Sequence, residues 1–231
     1  MSKSLAVSVG QYSDAGRKPA NQDFYGAYMP REPLLSSKGI AVAIADGISS
    51  SNVSQIASET AVTGFLHDYY CTSDAWSVRN SAQKVLKATN SWLYSQTRKS
   101  PHRYNKDKGY ICTFSGLVIK SATAHLFHCG DSRIYHLSSQ GLEKLTTDHR
   151  HVVSEETSYL TRALGIHDTI EMDYKRRPVD EGDYFILSTD GIHEYVSDIE
   201  LSKHIEGAAD NLDAAAQEIA EQALNAGSTD N

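Results

Sequence analysis

Paired cysteines, long apolar runs and an excess of positive charge are all missing from this chain of 231 residues. Its cysteines, Cys71, Cys112 and Cys129, are odd in number and far apart. That excludes a disulfide framework and a zinc knuckle, and it points to a reducing compartment. No apolar stretch approaches the length of a bilayer span, and Met1-Ser2-Lys3-Ser4 leads into an alternating segment rather than a signal core. A formal net charge of -7 gives no long-range attraction to nucleic acid or anionic membrane. Internal repeats and low-complexity segments are lacking too. What these absences leave is a soluble, cytoplasmic protein, long enough to bury a substantial core in a single domain over 1–231.

What the chain does have is aspartate in one recurrent setting. Asp23, Asp46, Asp131, Asp190 and Asp230 each end an apolar run or sit inside a turn of glycine, serine or asparagine. Ile44-Ala45-Asp46-Gly47, His128-Cys129-Gly130-Asp131-Ser132 and Leu187-Ser188-Thr189-Asp190-Gly191 share a pattern, an extended segment running into a turn. One Asp before Gly reads equally well as a helix cap or turn closer; the set reads as one site. Two like unit charges about 4 Å apart cost roughly 4 kcal/mol at an effective dielectric near 20. Several such pairs would rival the whole stability of a domain, about 5 to 15 kcal/mol. Protons or cations must therefore accompany the cluster, and all-oxygen donors suit hard divalent ions such as magnesium or manganese.

The periodicities predict alternating strands and helices. Leu5 to Val9 alternates as a half-buried strand, and Gly39 to Ala45 reads as a strand buried on both faces. Ser49 to Asn52 supply capping side chains for a helix carrying Val53, Ile56, Ala57, Ala61, Phe65 and Leu66. A second helix over about 75–96 has an apolar stripe through Val78, Ala82, Val85, Leu86 and Leu93, with Trp76 and Trp92 read as core. Tyr110–Lys120 and Thr123–Cys129 form a hairpin about Ser121-Ala122, followed by a strand over Arg133–Leu137. His125 and His128, three apart on a strand, point to opposite faces and make no metal pair. The stretch 146–180 reads as an exposed lid with a short helix near Ser158–Leu164, and Lys175-Arg176-Arg177 within it as a solvated edge. Tyr184–Ser188 returns as a buried strand, and a last amphipathic helix from Leu212 to Leu224 ends at Gly227.

In order along the chain stand Arg17 to Asn21-Gln22-Asp23, Ala45-Asp46-Gly47, Gly130-Asp131-Ser132-Arg133, Leu145-Thr146-Thr147-Asp148-His149, Thr161-Arg162-Ala163-Leu164-Gly165, Ser188-Thr189-Asp190-Gly191 and Gly227-Ser228-Thr229-Asp230-Asn231. The series resembles the metal-dependent type 2C protein phosphatases over nearly the whole chain. The resemblance implies an α+β fold, a four-layer α-β-β-α sandwich with two central antiparallel sheets and the site at one end of them. It implies hydrolysis of phosphoserine and phosphothreonine in proteins by a water between two manganese or magnesium ions. Asp46 would bridge the ions, Asp190 and Asp230 would complete one coordination sphere, the Gly47 carbonyl the other, and Asp23 would act through water. Asp131 matches a position that, with Asp190, holds a third and weaker ion in bacterial members. Arg17 matches the arginine that grips phosphate, although the usual spacing falls on Lys18. The leaving-group acid is unassigned, with His149 and His193 as lesser alternatives to water.

Family members continue past the final Asp-Asn into a further core strand, so the chain is expected to be truncated before it. The texture around Asn21-Gln22-Asp23-Phe24 resembles bacterial chains that carry a Ser/Thr kinase domain downstream. A non-catalytic phosphate-sensing module of the same fold is the alternative, and retention of every bridging carboxylate weighs against it. A carboxylate-metal nuclease is disfavoured by the acidic charge and by the scarcity of interleaved basic and aromatic residues.

Overall fold

Strand by strand, side-chain alternation assigns each face of the main sheet to a different core. The computed structural model describes residues 5–154, 157–208 and 211–231. In chain order the elements are β1 (Asp23–Tyr28), α1 (Leu34–Lys38), β2 (Ile40–Asp46), α2 (Ser54–Cys71), α3 (Val78–Lys99), β3 (Phe114–Lys120), β4 (Thr123–Cys129), β5 (Arg133–Ser138), β6 (Gly141–Lys144), β7 (Arg150–Ser154), β8 (Thr157–Leu160), β9 (Asp173–Pro178), β10 (Tyr184–Ser188), α4 (Asp190–His193), α5 (Asp198–Gly207) and α6 (Leu212–Asn225). A five-stranded antiparallel sheet runs β1-β2-β3-β4-β9, and a three-stranded one runs β10-β5-β6.

On β3 and β4, Phe114, Val118 and Phe127 face α2 and α3, where Phe65, Tyr69 and Leu86 meet them. Leu117, Ile119, Ala124 and Leu126 face the other way, onto Ile134, Phe185 and Leu187 of the smaller sheet and Leu145 just past β6. Behind that sheet, Tyr135 packs with Leu201, Ile219 and Ala223 of α5 and α6. The layers are thus helix, sheet, sheet, helix, and the expected α+β sandwich is what the chain forms. Helix α3 is capped by Ser77, which accepts from the Asn80 amide, and α5 by a reciprocal box between Ser197 and Glu200. The hairpin turn falls at Ser121, whose φ of 53° lies in the left-handed region.

Several expectations are corrected. Leu5 to Val9 alternates in burial as read, with Leu5 and Val7 packed on the inter-sheet core, but it joins no ladder among the described residues. Val42 and Ile44 of β2 are only half-buried. The three-stranded sheet is too narrow to cover that end of the five-stranded one. A cavity of about 1180 Å³ remains, lined by Val7, Val42, Ile44, Phe185 and Leu187 among others. Helix α2 has Val53 at its N-cap without a side-chain bond; Ser51 instead donates to the carbonyls of Lys108 and Gly109. Trp76 and Trp92 lie on the outer side of the helical layer, 39% and 43% exposed.

No helix forms over 158–164: β7 and β8 pair as an antiparallel hairpin there. β9, expected inside the lid, is the edge strand beside β4, which places Lys175, Arg176 and Arg177 on a sheet margin as anticipated. Among the described residues no helix is long and apolar enough to cross a membrane.

Candidate active site

Antiparallel register brings the first two carboxylates together, because Asp23 opens β1 directly opposite Asp46 at the end of β2. The amide of Asp46 donates to Thr113 Oγ1 at 3.0 Å and its carbonyl accepts from the Thr113 amide at 2.8 Å. Thr113 is held in turn by Ser132 at 2.6 Å, in the turn between β4 and β5 that carries Asp131. Gly130 permits that turn with a φ of 119°. A Cβ there would also stand 2.6 Å from Thr113.

The end of β10 delivers Asp190 as the first residue of α4. Asp230 arrives from the opposite end of the sequence on a tail fixed by Asn231. That side chain accepts from the Gln22 amide at 2.9 Å and donates to the carbonyls of Ala15 and Ala20. Ser228 anchors the same tail on the Gly191 carbonyl at 2.9 Å.

Burial sets the electrostatics. Desolvation raises Asp46 well above the carboxylate range, and the charges of Asp23, Asp190 and Asp131 add to it. Asp46 as a whole residue is half-buried. Desolvation carries Asp23 to about 6, partly offset by hydrogen bonds from Asp46 and Thr189. It carries Asp190 to about 7, with Asp131 and Asp230 contributing. Asp131 is raised by burial against the opposing pull of Arg150. Asp23, Asp46 and Asp190 therefore feel neighbouring carboxylates, and the structure places the acidic side chains singled out in the sequence at one end of the two sheets.

The donor set fits hard cations. Asp23 Oδ1 is buried without a hydrogen-bond partner. Beside Asp23, Thr189 and Asp230 lies a cavity of about 60 Å³, room for a few waters. Among the described residues no three acidic, histidine or cysteine side chains close into a ready-made cage. An open site, completed by carbonyls and water, is the arrangement magnesium-like ions favour.

Two protein cations sit on the cluster. Lys18 Nζ bonds Asp230 Oδ1 and, at 2.6 Å, Ser49 Oγ. Arg150 reaches Asp131 and Asp190. Arg17 is exposed and forms no hydrogen bond or ion pair among the described residues. The histidines are occupied elsewhere. His149 Nδ1 accepts from the Gly130 amide at 3.1 Å and its Nε2 lies 3.3 Å from Asp173. Burial, with Arg133 adding to it, lowers His193 to about 3. Cys129 is pushed up to about 12 by burial, so its thiol is no nucleophile. Sequence reading missed Arg150, Thr113 and Thr189. Arg150 directly follows the Asp148-His149 motif, and only the fold shows it turning back onto the aspartates.

The family model described as Protein phosphatase 2C matches residues 12–226. Protein phosphatase PhpP of Streptococcus pneumoniae is 26% identical over 222 residues, covering 87% of this chain and 82% of its own length. Serine/threonine phosphatase stp of Listeria monocytogenes is 27% identical over 188 residues, covering 70% of each. In fold, the chain is similar to the serine/threonine phosphatase of S. agalactiae, with a TM-score of 0.81 at 23% identity over 96% of this chain and 94% of that one. The catalytic domain of PstP, solved with two manganese ions, gives a TM-score of 0.77 at 23% identity, over 95% and 92%. With the family match over residues 12–226, the sandwich belongs to a metal-dependent phosphoester hydrolase. The chain belongs to the protein phosphatase 2C family, the metal-dependent protein serine/threonine phosphatases.

Proposed function

We propose that this chain removes phosphate from phosphoserine and phosphothreonine in cytoplasmic proteins, using the carboxylate cluster at the sheet ends. The observation that carries this reading is the convergence of Asp23 and Asp46, paired across β1 and β2, with Asp190 at the start of α4 and Asp131 beside it on Arg150; burial raises all four carboxyls, which need cationic partners. Asp46 and the Gly47 carbonyl, with Asp190 and Asp230, would hold two manganese or magnesium ions, and Asp23 would orient their water. When bound, such a pair lowers the pKa of a water toward neutrality and neutralises phosphate oxygens during in-line attack.

The chain's own residues position the rest. Thr113 fixes the Asp46 backbone on both sides. Asn231 holds Asp230 against the 15–22 loop. Arg17 and Lys18 supply the positive charge that receives the phosphate dianion, Arg17 by a forked pair or Lys18 as a point charge once it releases Asp230. Neither buried cysteine competes as nucleophile.

Asp46→Asn tests the assignment. With manganese and a phosphothreonine peptide, turnover falls by at least about a thousandfold, roughly 4 kcal/mol of barrier, while the circular dichroism spectrum stays that of the parent. A parent protein without turnover under the same conditions would favour the phosphate-sensing module instead.

A further inference from the structure

Arg150, the first residue of β7, joins carboxylates from separate parts of the chain. Its Nη2 lies 2.7 Å from Asp131 Oδ2 and 2.9 Å from Asp190 Oδ2, and its Nη1 lies 2.5 Å from Glu194 Oε1. The Asp131 side chain is only 4% exposed, so water does little to screen it. One nitrogen shared between two carboxylate oxygens is the arrangement of a bridging cation. An ion bound to the same two oxygens would occupy the volume of that nitrogen.

We propose that Arg150 is a tethered cation holding the Asp131–Asp190 pair, so that a further divalent ion binds there only by expelling the guanidinium and with it the β7 end of the hairpin. The inference rests on the reading of Asp190 as a metal-side carboxylate. Guanidinium stays protonated at any physiological pH, so the competition is between one fixed positive charge and a doubly charged ion. The backbone favours the hairpin as the moving part. His149 is pinned to the Gly130 turn, its amide donating to the Gly130 carbonyl at 2.8 Å and its ring accepting from the Gly130 amide. The residue just after it is therefore where the strand can part from the site. Ion binding at Asp131 and Asp190 would thereby set the position of β7 beside the site.

The test titrates manganese into the full chain and counts free ion by electron paramagnetic resonance, comparing the parent with Arg150→Gln and Arg150→Gln/Asp131→Asn. Beyond the two tight ions of the parent, Arg150→Gln is expected to tighten the next binding event by at least about tenfold, and the double variant to lose it. Without manganese, Arg150→Gln melts at a lower temperature than the parent, and the double variant recovers part of the loss. Arg150→Lys, which cannot bridge the same oxygens while reaching Glu194, gives an intermediate result and serves if the glutamine variant does not fold. A parent that binds two ions, with the next event unchanged in Arg150→Gln, overturns this inference alone. A parent that binds no manganese overturns the metal reading and the inference together.

Discussion

Single residues set the geometry of the site, and Asn231 shows how. Its amide satisfies one donor and two acceptors in the loop that precedes Asp23. Net contributions of about 0.5 to 1.5 kcal/mol per hydrogen bond make Asn231→Ala worth roughly a tenfold loss in manganese affinity at the site that uses Asp230. Isothermal titration would show it, and an unchanged isotherm would mean that Asp230 needs no such anchor. The aspartates were legible in the sequence because each ends an apolar run, and that pattern depends only on neighbours along the chain. Arg150 was not legible, since its role depends on a hairpin folding back onto Asp131 and Asp190. Lys18 was legible only as a rival to Arg17. Its bond to Asp230 is a long-range contact that no local pattern announces.

Among elements, those buried on one or both faces were legible and those whose burial depends on a distant partner were not. β3 and β4 follow from β-branched and apolar runs around a short turn, and α3 and α6 follow from their stripes. Over 158–164 the mixed local sequence reads as a short helix within an exposed lid, whereas β8 forms there and pairs with β7, because pairing between strands decides the matter. The incomplete cover over β2 has a measurable outcome. Leu117 is 1% exposed between the sheets, so Leu117→Ala should cost about 2 to 5 kcal/mol by loss of contacts and cavity formation. Ile44, half-buried beside an existing cavity, has fewer contacts to lose, and Ile44→Ala should cost less than half as much. Urea denaturation of both variants decides it; equal losses would mean that the inter-sheet space is closed in solution.

For the whole molecule, proton and metal binding are linked. Asp23 and Asp190 titrate near 6 and 7 in the folded chain and near 3.9 once unfolded. The folded state then binds more protons, so these groups contribute a stability that declines as pH rises from about 4 to about 7. On the proposed assignment, manganese would replace those protons. The rise in melting temperature on adding manganese to chelator-treated protein should therefore grow between pH 5 and pH 8. A rise that shrinks over that range would show that other carboxylates hold the ions. The anchoring of the tail also bears on synthesis. Gln22 and Asn231 are 209 positions apart, and at roughly 5 to 20 residues per second the ribosome needs on the order of 10 to 40 s to travel between them. Throughout that interval the nascent polypeptide lacks Asp230 and its Asn231 anchor, so the carboxylate cluster is assembled only when the last of these residues has been added.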